Sequence, residues 1–146
     1  MLSRSGLYAL QAALHLARQP GDEPVSAARM AEALELPPGY LAKVLRRLGS
    51  EGVLEATRGA RGGYRLTRGS DEVTVADVVR AFEEVTLPKV CLLGGCCDPA
   101  DPCTAHLRRL EWNAARDGIL AATTLAELLP SGVGATDVGR LLTIPT

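Results

Sequence analysis

Aromatic residues are scarce, since Phe, Trp and Tyr make up 3 % of the 146 residues. The core must therefore be built from aliphatic side chains such as Leu, Ala and Val, a composition that favours helices. The sequence also lacks an apolar run of the roughly 18–20 residues needed to cross a bilayer. Gln11 and His15 interrupt the apolar stretch near the N-terminus. We therefore predict a cytoplasmic protein that is neither secreted nor embedded in a membrane.

The net charge is only −1, but the two halves of the chain differ in sign. Residues 1–70 hold ten Lys/Arg against six Asp/Glu, and residues 71–146 hold six against eleven. Within residues 40–70 there are seven basic side chains and two acidic ones. Such a local excess is typical of a nucleic-acid-binding surface. An ordinary solvated face would have the same composition, so charge alone leaves both interpretations open.

The distribution of cysteine along the chain is unusual. The four cysteines are Cys91, Cys96, Cys97 and Cys103, all within thirteen residues. A disulfide framework would spread its cysteines in order to close long loops. In a chain that is not exported, such a cluster more often binds metal or senses redox state.

Apolar spacing predicts three helices in the first third of the chain. The first covers about residues 5–18, the second follows the capping residue Ser26, and the third covers about 38–49 and begins at Pro38. The third helix has two faces: apolar Leu41, Val44, Leu45 and Leu48, and polar Tyr40, Lys43, Arg46 and Arg47. An apolar inner face and a basic outer face, after a short turn from a preceding helix, are typical of a helix-turn-helix.

A β-hairpin is predicted next, because two β-prone stretches flank the glycine-rich tip at residues 58–63. The glycines permit positive φ and a close approach of the backbone to a partner. Arginines on such a tip predict contacts with phosphates or a minor groove. A nucleotide-binding phosphate loop is excluded because neither a strand-to-helix context nor a Gly-Lys-Ser/Thr signature is present.

The second half of the chain predicts a helix over about 74–85, a cysteine-bearing loop, and one long helix. The start signal of the long helix is Asp101-Pro102, and it would continue to about Leu129. Its apolar seam repeats every seven residues at Leu107, Ala114, Ala121 and Leu128, with Leu110 and Leu125 beside it. A long helix with such a seam usually buries it against a second copy of the chain. The alternative is that it packs only against its own head.

Four segments resemble the Rrf2 family of winged-helix regulators: residues 40–48, 52–54, 58–66 and 73–83. The Arg-Gly-x-x-Gly-Gly-Tyr wing is the most specific part, and the resemblance covers roughly residues 1–130. It implies a mostly α-helical homodimer that binds double-stranded promoter DNA. The expected parts are a winged helix-turn-helix head (1–85), a cysteine loop that binds a cluster (86–103), a dimerisation helix (104–130) and a tail (131–146).

The basic surface and the resemblance together predict the residues that contact DNA. These are Pro38, Tyr40, Lys43, Arg46, Arg47, Arg58, Gly59, Arg61, Gly62, Gly63 and Tyr64. At Ala42 the sequence departs from the cluster-assembly regulators of the family, which carry an acidic residue there. Alanine offers a base only apolar contact, so we expect a different operator.

Within the family, the spacing of Cys91, Cys97, Cys103 and His106 resembles the IscR-like branch, in which three cysteines and a histidine hold a 2Fe–2S cluster; a 4Fe–4S cluster is the other possible nuclearity. Thiolates are the ligands that such clusters require. Cys103 and His106 lie three residues apart at a predicted helix start, so both can face one point. Cys96 is then a bystander, because Cys97 gives equal five-residue gaps on either side.

The predicted function is a transcriptional repressor whose DNA affinity is set by a cluster that senses iron–sulfur, redox or nitric oxide status. Some relatives use an acidic ligand from the partner's first helix, but no carboxylate precedes Asp22 here, which favours His106 over His15 as fourth ligand. Zinc or a thiol redox switch in the same fold remains an alternative, although zinc sites usually show Cys-x2–4-Cys pairs. A small iron–sulfur electron carrier is a further alternative. No catalytic set is visible, so we predict that the protein is not an enzyme.

Overall fold

The computed structural model describes residues 2–21, 23–83, 93, 98 and 100–129. In these residues helices dominate, and one antiparallel hairpin follows the third helix, as the sequence predicts. The elements are α1 (Arg4–Ala17), α2 (Ala27–Ala33), α3 (Pro38–Ser50), β1 (Leu54–Thr57), β2 (Gly63–Leu66), α4 (Val75–Val79), α5 (Thr104–Ala122) and α6 (Leu125–Leu128).

The first three helices begin where the sequence predicts, within one residue. Ser3 caps α1, where its Oγ accepts the Gly6 N–H at 3.0 Å. Ser26 caps α2 in the same way through the Arg29 N–H at 3.3 Å. Pro38 occupies the first turn of α3, where its missing N–H is no loss. These caps satisfy backbone donors that would otherwise lack partners at the helix starts.

The core of the head lies between α1, α3 and α4. Its largest fully buried side chains are Met30, Leu41, Leu45, Leu48, Val73, Val78 and Leu125. The predicted inner face of α3 is confirmed, since Leu41, Val44, Leu45 and Leu48 are all buried. Because that face is fixed against the core, the opposite face of α3 must lie outward.

The hairpin is joined to the head by its second strand. Strand β1 pairs with β2 so that Leu54 lies opposite Leu66 and Thr57 opposite Gly63. Val25, just before α2, forms a bridge with Tyr64. The Val25 N–H donates to the Tyr64 carbonyl at 2.9 Å, and the Tyr64 N–H donates back at 2.8 Å. The base of the wing is therefore held beside the start of α2.

The prediction of one helix from Asp101 to Leu129 is wrong at both ends. The N-cap of α5 is Cys103, and the helix ends at Ala122. Thr124 then begins α6 with a capping box to Glu127. The break arises from tertiary contacts, because the Val75 N–H donates to the Thr123 carbonyl at 2.9 Å and the Leu125 N–H to the Val73 carbonyl at 2.9 Å.

One further helix boundary and the burial of one leucine also differ from the predictions. The helix predicted over about 74–85 is regular only over Val75–Val79, and turns follow it to residue 83. Leu125, predicted beside the seam of the long helix, is instead buried in the core of the head.

Residues 84–92, 94–97, 99 and 130–146 lie outside the described part, including Cys91, Cys96, Cys97 and the tail. Among the described residues, no helix combines the length and apolar character needed to cross a membrane.

Candidate DNA-binding face and cysteine site

The outer face of α3 carries the side chains that the sequence predicts for DNA contact. Tyr40, Lys43, Arg46 and Arg47 are all exposed, as is Pro38 at the start of the helix. Arg58, Gly59 and Arg61 are exposed on the loop between β1 and β2. Helix α3 and the loop between β1 and β2, called the wing loop below, therefore both present basic groups to solvent.

Ion pairs divide the seven basic residues between 40 and 70 into two groups. Arg65 pairs with Glu55 at 2.8 Å, and Arg68 pairs with Asp77 at 3.1 Å. The others form no ion pair with any described residue: Lys43, Arg46, Arg47, Arg58 and Arg61. These five are also the basic residues predicted to contact DNA. The positive charge left for a partner is thus concentrated on α3 and the wing loop.

Arg47 also contacts an aromatic ring that the sequence did not connect to it. Its guanidinium carbon lies 5.7 Å from the centroid of the Phe82 ring. This cation–π contact leaves the charge on the guanidinium while limiting where the side chain points. A sequence separation of thirty-five residues gave no signal for it.

Tyr40 is held by two residues of α1. Its ring meets the Tyr8 ring edge-on, with the centroids 5.5 Å apart and an interplanar angle of 87°. Its hydroxyl forms a hydrogen bond with Ser5 Oγ. The side chain remains 38 % exposed, so it is oriented by the head and still accessible from solvent.

The wing glycines are required by the head itself. A Cβ on Gly62 would lie 2.3 Å from the Thr57 carbonyl oxygen, and one on Gly63 would lie 2.4 Å from the Val25 carbonyl. Gly59 has a φ of +113°, which other residues rarely adopt. The sequence interpretation assigned the glycines to close approach of a partner, whereas Gly62 and Gly63 make a close approach within the head. Tyr64, also predicted to contact DNA, is half-buried and packs against the core.

Two of the four predicted cluster ligands are described, and they share the first turn of α5. Cys103 is the exposed N-cap, and the His106 N–H donates to the Cys103 carbonyl at 2.9 Å. The Nδ1 atom of His106 is buried and has no hydrogen-bond partner in the described part of the chain. A buried ring nitrogen without a hydrogen-bond partner among the described residues is compatible with metal ligation by His106. The described residues contain no group of three side chains that could hold a metal ion. The other two predicted ligands, Cys91 and Cys97, lie outside the described residues.

His15 is half-buried in the last turn of α1, where its ring nitrogen contacts the Gln19 amide at 3.3 Å. Burial lowers the pKa of His15, and the nearby cations Arg18 and Arg29 lower it further. A neutral imidazole in a positively charged environment is the expected state of this residue at neutral pH.

Comparison with known proteins identifies the family. The model of the Rrf2 family, described as an iron-dependent transcriptional regulator, matches residues 2–131. The chain belongs to the Rrf2 family. Its relatives include the HTH-type transcriptional regulator IscR of Sodalis glossinidius, which is 31 % identical over 88 % of this chain and 78 % of that protein.

Solved Rrf2-family structures support the same fold. IscR from T. potens has a TM-score of 0.72 and 26 % identity, and the match covers 100 % of this chain and 93 % of that one. The oxidized form of CymR from Staphylococcus aureus has a TM-score of 0.72 and 25 % identity over 92 % and 99 % of the two chains. This Rrf2 protein is therefore a winged-helix transcriptional regulator and not an enzyme.

Proposed function

We propose that this Rrf2 protein is a homodimeric repressor whose affinity for operator DNA depends on an iron–sulfur cluster. The observation that carries the DNA-binding part is the group of five basic side chains on α3 and the wing loop that lack an ion-pair partner among the described residues. A regulator that binds DNA works in the cytoplasm, the location predicted from the sequence.

On DNA, α3 enters the major groove with Tyr40 and Lys43 near base edges, as the exposed N-terminal half of a recognition helix does. Arg58 and Arg61 neutralise phosphates from the wing loop, and Arg46 and Arg47 do so from α3. Two heads related by a two-fold axis place their recognition helices about 34 Å apart, so the operator is a near-palindrome.

The surface of α5 supports a dimer. None of its nineteen residues is buried in the single chain. Three large apolar side chains are exposed on it: Leu107 at 45 %, Trp112 at 67 % and Ile119 at 66 %. Trp112 and Ile119 are seven residues apart and so lie on one side of the helix. A second copy of α5 would remove this apolar surface from water.

Cys91, Cys97, Cys103 and His106 would hold the cluster. Three thiolates and one imidazole match the donors that a 2Fe–2S cluster accepts, and the unsatisfied Nδ1 of His106 supports the assignment. The cluster supplies a reversible one-electron centre that is sensitive to oxidants and nitric oxide. Cys103 begins α5, so ligation at this residue would act on the orientation of the helix that joins two heads.

A thiol redox switch is the second candidate, because the oxidized CymR structure is similar and Cys103 is exposed. In that case cysteine oxidation would replace the cluster as the signal. Metal analysis separates the two candidates, and it also detects zinc.

The DNA-binding part is tested with two arginines of the wing. Arg61→Ala removes a charge without an ion-pair partner in the described residues, so it should reduce the slope of log affinity against log salt by about one unit. Arg65→Ala is the matched control, because Arg65 is paired with Glu55. Fluorescence anisotropy on an operator duplex measures both. Unchanged affinity in both Arg61→Ala and Lys43→Ala would show that this face does not bind DNA.

The cluster ligands are tested by iron and sulfide content after purification without oxygen. Cys91→Ser, Cys97→Ser and Cys103→Ser should each lose the cluster, while Cys96→Ser keeps it and serves as the matched control. His106→Ala should loosen the cluster or shift its spectrum. A fully loaded Cys97→Ser beside a colourless Cys96→Ser would reverse the assignment of the adjacent pair. Zinc without sulfide, or cysteines that oxidise reversibly without metal, would favour the alternatives.

If the cluster controls DNA binding, protein with the cluster and protein without it should differ in operator affinity. The cluster-free protein should remain a helical dimer, which circular dichroism and sedimentation can verify. Equal footprints and equal affinities at every promoter tested would show that the cluster does not control DNA binding.

A further inference from the structure

The N-terminus of α1 is clamped to the last described residues of the head. The Ser3 N–H donates to Glu83 Oε1 at 2.8 Å, and Ser3 Oγ donates to the Phe82 carbonyl at 3.3 Å. A Cβ on Gly6 would lie 2.5 Å from Glu83 Oε1, so the glycine leaves the room that the carboxylate occupies. A carboxylate at the start of a helix is also stabilised by the helix dipole.

The next turn of α1 holds the recognition helix. Ser5 and Tyr8 lie three residues apart, so they share one side of α1. Both contact Tyr40, Ser5 through the hydroxyl and Tyr8 through the ring edge. A continuous set of contacts therefore runs from Glu83, through the start of α1, to the exposed tyrosine of α3.

Phe82 gives a second connection to the same helix. Its ring lies beneath the Arg47 guanidinium, nearly two turns further along α3 than Tyr40. Residues 82 and 83 thus connect to both halves of the recognition helix. They also precede the first cysteine, Cys91, by nine and eight residues in the sequence.

From these contacts we infer that Ser5 is a positioning residue for DNA recognition, and that Glu83 sets the position of Ser5 by fixing the start of α1. The inference rests on the proposed function, in which Tyr40 contacts base edges. A side chain already held in its bound orientation loses less conformational entropy when it meets DNA. Releasing Tyr40 should therefore weaken operator binding without changing the fold.

The Ser5–Tyr40 bond is tested with a double-mutant cycle on operator affinity. Ser5→Ala should weaken binding about 3–10-fold, the usual range for one hydrogen bond. It should have no effect when added to Tyr40→Phe, because the bond is then already absent. Ser50→Ala is the control, since the Ser50 hydroxyl donates to the Arg47 carbonyl of its own helix at 2.8 Å and to no other group in the described part of the chain. Additive losses, or no loss in Ser5→Ala, would overturn the role of Ser5.

The contribution of Glu83 is tested by two independent changes. Glu83→Ala removes the carboxylate, and Gly6→Ala displaces it by occupying its space. Alanine is the better helix former, so weaker binding by Gly6→Ala could not be attributed to a weaker α1. Both variants should lose operator affinity to a similar extent while the circular dichroism spectrum stays unchanged. Wild-type affinity in both would overturn the role of Glu83.

The same titrations separate this inference from the proposed function. Lys43→Ala and Arg61→Ala are measured alongside. If they weaken binding while Ser5→Ala and Glu83→Ala do not, the DNA-binding face stands and the positioning role is wrong. If none of the four variants affects binding, the DNA-binding face itself is wrong.

Discussion

Helices α1 and α5 show how differently the two parts of this protein are stabilised. Helix α1 buries eight of its fourteen residues, whereas α5 is longer and buries none of its nineteen. The head has its own core, closed by α3 on one side and by Leu125 of α6 on another. The contrast indicates that the head folds around its own contacts, and it supports the proposal that a second copy covers α5.

The largest expected effect comes from creating a cavity in the core of the head. Leu45 is fully buried in α3, so Leu45→Ala should lower the free energy of unfolding by about 2–5 kcal/mol. Because the core belongs to one chain, the loss should be the same at every protein concentration. Urea denaturation followed by circular dichroism measures it. A loss below about 1 kcal/mol would show that the head is not stabilised by this core.

The next largest effect is expected on α5. Replacing Trp112 and Ile119 together by Glu should weaken dimerisation by about 2–4 kcal/mol, because it places charge where two apolar side chains would meet. Sedimentation equilibrium measures the change. Any difference in the free energy of unfolding between this variant and the wild type should disappear on dilution, because both are then monomers. The difference caused by Leu45→Ala should persist. A wild-type dimerisation constant would mean that this side of α5 is not the interface.

The same contrast explains what the sequence could predict. The elements of the head follow from local signals: the Ser26 cap, Pro38 at a helix start, and the apolar spacing of α3. The end of α5 does not, because it depends on two backbone hydrogen bonds, from Val75 to Thr123 and from Leu125 to Val73, that only the folded chain brings together. The capping-box pattern from Thr124 to Glu127 was present, but the seven-residue repeat suggested a continuous helix.

The candidate site was predictable to a similar degree. The basic residues were identifiable from charge and helical spacing, and the structure separates them by pairing Arg65 and Arg68 with carboxylates. The contacts that hold Tyr40 and Arg47 link residues more than thirty positions apart, so no local pattern indicates them. The wing glycines show the same limit. A glycine-rich sequence predicts that another group comes close to the backbone there, but it does not identify that group as the Thr57 or Val25 carbonyl.

The smallest predicted effect concerns His15 and pH. Its pKa is lowered in the folded head, first by burial and then by Arg18 and Arg29. The unfolded chain therefore takes up this proton at a higher pH than the folded one, and stability falls as the pH drops below the ordinary histidine value of 6.5. His15→Gln should remove that part of the pH dependence in urea denaturation between about pH 7 and 5.5. An unchanged pH profile would contradict the assignment.

Trp112 gives α5 a built-in spectroscopic reporter. It is the only tryptophan in the chain and is 67 % exposed in the single protomer. Its fluorescence therefore comes from one known position, without interference from the core of the head. Emission near that of free indole in a dilute sample should shift to shorter wavelength as α5 becomes covered. Assembly can then be followed in unlabelled protein, even while DNA is being titrated into the same cuvette.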